Sequence, residues 1–166
     1  MSQQSSYHTA AVGSVGRVLA ARIHPDQDVL EAIERVCLEH GILRGQITTS
    51  IGSFKRVHLH YIARMRRDPD LGYNEFLTLH GPHSLLTGQG LVSPGDTPDR
   101  LNIHYHAVIS GKDDVIYGGH IETGTITLTT LDLFIVEVSG IEIERGIDPE
   151  TGALVTSFRP NAGEAK

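Results

Sequence analysis

The sequence predicts an α+β domain, a mainly antiparallel sheet with one flanking helix. Three observations carry that prediction. Only the stretch from Asp28 to His40 repeats its apolar residues at helical spacing. After Gly41 the period changes, and the chain reads as a succession of short strand-like runs. Eighteen glycines and seven prolines among 166 residues supply the turns that many short strands require. A chain of this length fits one domain and buries roughly two thirds of its unfolded surface, so it needs no disulfide to hold a core.

The elements follow in order. Residues 1–13 read as a flexible N-terminal segment, 14–158 as the folded domain and 159–166 as a flexible tail. Gly16 to Ile23 forms a first strand. The helix opens after Pro25, with Asp28 and Glu31 at capping-box spacing. Val29, Leu30, Ile33, Val36 and Cys37 line one side, Glu31, Glu34, Arg35 and Glu39 the other, and Gly41 stops it. Gly45 to Ile51 and Phe54 to Ile62 read as strands joined by a turn at Gly52-Ser53. Further strands are expected at 74–80, 84–91, 101–110, 115–121 and 125–138, with Pro82, Gly95 to Pro98, Gly111 to Asp113 and Thr123-Gly124 between them. A last short strand is expected from Ile141 to Arg145, before a turn at Asp148 to Gly152. The strand from Ile126 to Val138 is apolar on both faces, which predicts that a second subunit covers one of them.

Composition narrows the function. No apolar run approaches the roughly 20 residues that span a bilayer, and the polar start does not read as a secretion signal. The single cysteine, Cys37, falls on the apolar stripe and suits a reducing, cytoplasmic setting. A net charge of −6 disfavours a generic nucleic-acid binder, since that affinity comes from neutralising phosphates. The one candidate phosphate contact is the cluster Lys55, Arg56, Arg64, Arg66 and Arg67, which reads equally as a solvated strand end and loop.

The histidines are concentrated. Seven of the ten lie between positions 58 and 120. In Ile103-His104-Tyr105-His106 two imidazoles leave one face of one strand, about 6.5–7 Å apart, a spacing that suits convergence on one ion. His120 follows Gly118-Gly119, and paired glycines permit the close backbone approach that aims the next side chain inward. A hairpin through Ser110 to Asp114 would bring the two halves together. His104, His106 and His120 are therefore the candidate metal ligands, with zinc as the expected ion. The bland alternative is a set of polar residues on a solvent face. His58 and His60 are assigned to such a face because their basic neighbours repel a cation, and His80 and His83 read as turn residues around Gly81-Pro82. Glu75 shares a strand face with Leu77 and Leu79 and is the candidate catalytic acid or base, or simply a strand-end residue. The chain contains no Walker loop, nucleophile elbow or dinucleotide fingerprint.

The stretch Leu101 to Ala107, then Gly118-Gly119-His120-Ile121 and Thr125 to Val138, resembles the PPC (plant and prokaryote conserved) domain family. The helix from Asp28, Ile51 to Phe54, Asn74 to Gly81 and Asp148 to Gly152 fall where that family has matching elements. The resemblance implies a homotrimer and a DNA-binding role. Plant members carry AT-hooks, and this sequence has none. The fold is also similar to acetolactate decarboxylase, a zinc enzyme with a three-histidine centre. Three readings follow: a metal-holding DNA-binding or regulatory module, a zinc-dependent enzyme on a small oxygenated ligand, and a structural oligomer without metal.

Overall fold

The computed structural model describes residues 9–64, 72–111, 114–148 and 154–161. Along the chain come β1 (Ser14–Ile23), α1 (Val29–Glu39), β2 (Gly45–Arg64), β3 (Gly72–Pro94), β4 (Leu101–Ser110), β5 (Ile116–Ile121), β6 (Ile126–Ser139), β7 (Ile141–Ile147) and β8 (Leu154–Pro160). The first six strands make one antiparallel sheet in the order β1-β6-β2-β3-β4-β5, while β7 and β8 form a separate hairpin. This is the α+β class that the patterning predicts.

The helix forms where its signals lie. Asp28 caps it, accepting hydrogen bonds from the backbone of Leu30 at 3.0 Å and Glu31 at 3.3 Å. Val29, Ile33 and Cys37, four residues apart, are fully buried against the sheet. Gly41 ends it at φ +65°, a left-handed position that suits glycine. On β4 burial alternates strictly, with Leu101, Ile103, Tyr105, Ala107 and Ile109 in the core and the residues between them on the outer face. The Tyr105 hydroxyl is satisfied inside, 2.5 Å from Ser50 Oγ, which in turn donates to the Gly88 carbonyl.

Two expected turns are absent. β2 runs unbroken through Gly52-Ser53, and β3 through Gly81-Pro82. Gly52 serves a close approach: a Cβ there would lie 2.2 Å from the Thr130 carbonyl of β6. Gly81 and Pro82 form a bulge, because Phe54 and Arg56 of β2 face His83 and His80 of β3. Gly81 takes φ +118°, and a proline without an N–H is tolerated at a bulge. His83 is consequently a buried strand residue. β8 extends through Arg159 to Pro160, and Arg159 pairs with Glu144.

The long β2 lets the sheet close on itself. Its first half pairs with β6, and beyond it Leu59 and His60 pair with Ile121 and His120 of β5. β5 pairs along its other edge with β4. The outer face of the β1-β6-β2 region leaves Val18, Ile51 and Phe134 exposed, at 61%, 58% and 49%, so the second apolar face of β6 is uncovered within one chain. Among the described residues no helix is long and apolar enough to cross a membrane.

Candidate metal centre

His104 and His106 leave the outer face of β4, and His120 of β5 stands directly opposite His106 in the register. Their rings converge. His104 Nε2 lies 3.0 Å from His106 Nε2, and His120 Nδ1 lies 3.4 Å from the same atom. Nitrogens bound about 2.0–2.1 Å from a zinc ion sit roughly 2.9 Å apart at a right angle and 3.4 Å apart at a tetrahedral one. The observed spacing therefore fits a shared ion. Gly119 makes the convergence feasible: a Cβ there would lie 2.4 Å from the His60 carbonyl, so only glycine lets β5 close on β2.

The electrostatics favour neutral imidazoles. Burial pushes the His104 pKa down to about 4, helped by Arg145, His106 and His60. Burial and the three neighbouring histidines push His120 down to about 3, and His106 is lowered by burial, His60 and Arg145. Neutral imidazole is the form that binds a metal.

Sequence reasoning missed three residues here. His60 is not a solvated bystander. Its ring stacks on His120 at 4.5 Å, with Phe76 against it at 5.3 Å. Its Nδ1 donates to Glu122 Oε1 at 2.6 Å. His60, His120 and Glu122 thus form a second convergent group that shares His120 with the first. The basic neighbours invoked against it turn elsewhere, Arg56 Nε donating to the Gly124 carbonyl at 2.7 Å and Lys55 pairing with Asp26. A signal for Glu122 existed in the sequence, since it follows His120 by two residues and so shares its face. Arg145 of β7, which perturbs all three histidines, gave no such signal.

The remaining candidates lie apart. Glu75 is exposed opposite Tyr61, on the face alternate to the His60–Phe76 pair. Arg64 ends β2, while Arg66 and Arg67 lie outside the described residues. Cys37 is buried, and burial pushes its thiol up to about 12, which disfavours the thiolate form. Beside His106 an open hollow of about 290 Å³ runs between Thr87, Gln89, Val108 and Gly118, where the missing side chain at Gly118 leaves room.

Known proteins share this fold. The metal-containing protein of Archaeoglobus fulgidus is 25% identical, with a TM-score of 0.75 over 89% of this chain and 98% of that one. A plant- and prokaryote-conserved protein of Pyrococcus horikoshii is 23% identical, with a TM-score of 0.72 over 89% and 96%. A Bacteroides thetaiotaomicron protein provisionally described as DNA-binding is 21% identical, with a TM-score of 0.69 over 88% and 97%. The bifunctional protein GlmU of Synechococcus sp. (strain JA-2-3B'a(2-13)) is 26% identical over 149 residues, which are 89% of this chain and 21% of GlmU. The chain thus spans about a fifth of the length of the curated relatives it matches. The Plants and Prokaryotes Conserved (PCC) domain matches residues 10–139, and the chain belongs to that family.

Proposed function

We propose that this chain holds one metal ion, zinc, on His104, His106 and His120, and offers it to a small oxygenated ligand. The observation that carries the reading is the convergence of three neutral imidazole nitrogens at 3.0 and 3.4 Å spacing. Three protein ligands leave coordination positions open, as in catalytic rather than structural zinc sites. When bound, such an ion polarises a carbonyl or acidifies a water. The chain's own contribution is proton handling. Glu122 accepts from His60 Nδ1, which fixes the tautomer and leaves His60 Nε2 free to take a proton. Glu75 leaves β3 on the face opposite to that of Phe76, which packs on His60.

The exposed apolar face around Val18, Ile51 and Phe134 supports a homotrimer, the assembly that the family resemblance implies. The folded unit is assigned to 14–158, with β8 reaching to Pro160. A free, buried Cys37 suits the cytoplasm. DNA association is the second reading, favoured by the relative provisionally described as DNA-binding. The intramolecular engagement of Lys55 and Arg56 and a net charge of −6 weigh against it. A gel-shift series at falling salt tests it, and no shift even at low salt removes it.

The decisive measurement is elemental analysis of untagged protein beside H104A and H120A. About one zinc per chain in the wild type, and little in either folded variant, is expected. A wild type that takes up no metal after incubation with zinc overturns the reading.

A further inference from the structure

Among the described residues Arg145 forms no salt bridge, and its charge acts on all three histidines of this centre. Its Nε atom is buried and makes no hydrogen bond among the described residues. The other arginines and lysine that face carboxylates are paired: Arg17 with Glu137, Arg22 with Asp132, Arg44 with Glu142, Lys55 with Asp26, Arg100 with Glu34 and Arg159 with Glu144. The carboxylate nearest to Arg145 in effect is Glu122, the one group that favours its charged form. Glu122 Oε1 is already taken by His60 Nδ1 at 2.6 Å. A buried guanidinium N–H without an acceptor is costly, and it is the kind of exception that a bound group explains.

We propose that Arg145 is the anion-binding residue of the histidine centre, and that the ligand there is a small oxyanion, a carboxylate or a phosphate. The inference rests on the metal reading above. The guanidinium carries its donors in a planar fork that matches the paired oxygens of either group. The site favours neutral imidazoles, and among the described residues Glu122 is the one carboxylate that joins their cluster. With a divalent ion on the histidines and Arg145 alongside, positive charge is in excess, so an anion is the complementary guest. β7 thereby gains a function: it lies beyond the family match at residues 10–139, and it delivers this one cation to a site built from β2, β4 and β5.

The test uses the zinc-loaded full chain. Metal content and subunit number are measured first for wild type, R145Q and R145K. Oxalate, inorganic phosphate and the uncharged ethylene glycol are then titrated calorimetrically. The expected result is binding of oxalate or phosphate but not of the diol. R145Q should weaken that affinity by about tenfold or more at unchanged metal content and assembly, with R145K between the two, as loss of a charge-assisted bidentate contact requires. The stronger of the two anions identifies the ligand class. Metal-loaded R145Q that binds the anions as tightly as wild type overturns the assignment. So does an R145Q that changes the assembly without changing the affinity, since Arg145 would then be a packing residue. Absence of metal from the wild type is a separate outcome, which overturns the metal reading and this inference with it.

Discussion

Adjacent glycines on β5 face different neighbours, and replacing each by alanine separates space from composition. At Gly119 a Cβ would lie 2.4 Å from the His60 carbonyl, whereas at Gly118 the nearest atom, the Ala107 carbonyl, is 3.2 Å away. Neither residue has a positive φ, so backbone strain does not enter. G119A must therefore push β5 from β2 by about 0.8 Å to reach even the Gly118 distance. The obstacle is backbone, which cannot swing aside. The β2–β5 ladder holds only two residue pairs, Leu59 with Ile121 and His60 with His120, so it yields first. Overpacking of this kind costs about 1–3 kcal/mol. For a chain of this size that lowers Tm by roughly 2–4 °C per kcal/mol, or about 2–12 °C. G118A needs only a few tenths of an ångström of adjustment, and the smaller entropy of the unfolded alanine chain offsets part of it, so its effect stays within about 0.5 kcal/mol. The same displacement draws His120 away from His106, and zinc affinity should fall about 10–100-fold in G119A, as it does when a ligand's orientation is disturbed. Thermal melts of the apo proteins and competitive zinc titration read both effects. Equal melting points and equal affinities for the two variants, or a worse G118A, would refute the argument that Gly119 is what closes the sheet onto the site.

Two further outcomes follow from the same geometry. His104 and His120 have folded pKa values near 4 and 3, below the ordinary 6.5, so the unfolded chain binds protons that the folded one refuses. Their contribution is complete above about pH 6.5 and is lost as pH falls through the window down to about 4; the metal-free protein should lose melting temperature from pH 6.5 to 4.5, above the range where the paired carboxylates titrate, and an H120Q variant should flatten that slope. Replacing Asp28 by alanine should cost about 1–2 kcal/mol in urea unfolding, since one carboxylate caps α1 and also accepts from the Gly124 backbone at 2.6 Å; a loss under a few tenths would show that the cap contributes little.

What the sequence determined by itself is what depends on local spacing. The helix from Val29 to Glu39 is legible because its cap, apolar stripe and terminal glycine lie within one short stretch. The alternation on β4 is equally local, and it puts His104 and His106 on one face before any partner strand is known. Gly118-Gly119 pointed to a close approach for the same reason, though not to which strand approaches. The tertiary structure decided everything that depends on who the neighbour is. A glycine that permits contact between strands looks, in sequence, like a glycine that permits a turn, and so Gly52 and Gly81 were expected to end strands that in fact run through them. His60 could be joined to His120 only by the closing of β5 onto β2, more than fifty residues apart along the chain. Its basic neighbours mattered less than their sequence proximity suggested, because Lys55 leaves the strand on the opposite face and both Lys55 and Arg56 found acceptors elsewhere. Arg145 belongs to a separate hairpin, and no local period links it to the histidines whose field it shares. Spacing along one strand specifies a face; which charges meet on that face is fixed by the sheet order, and only folding sets that order.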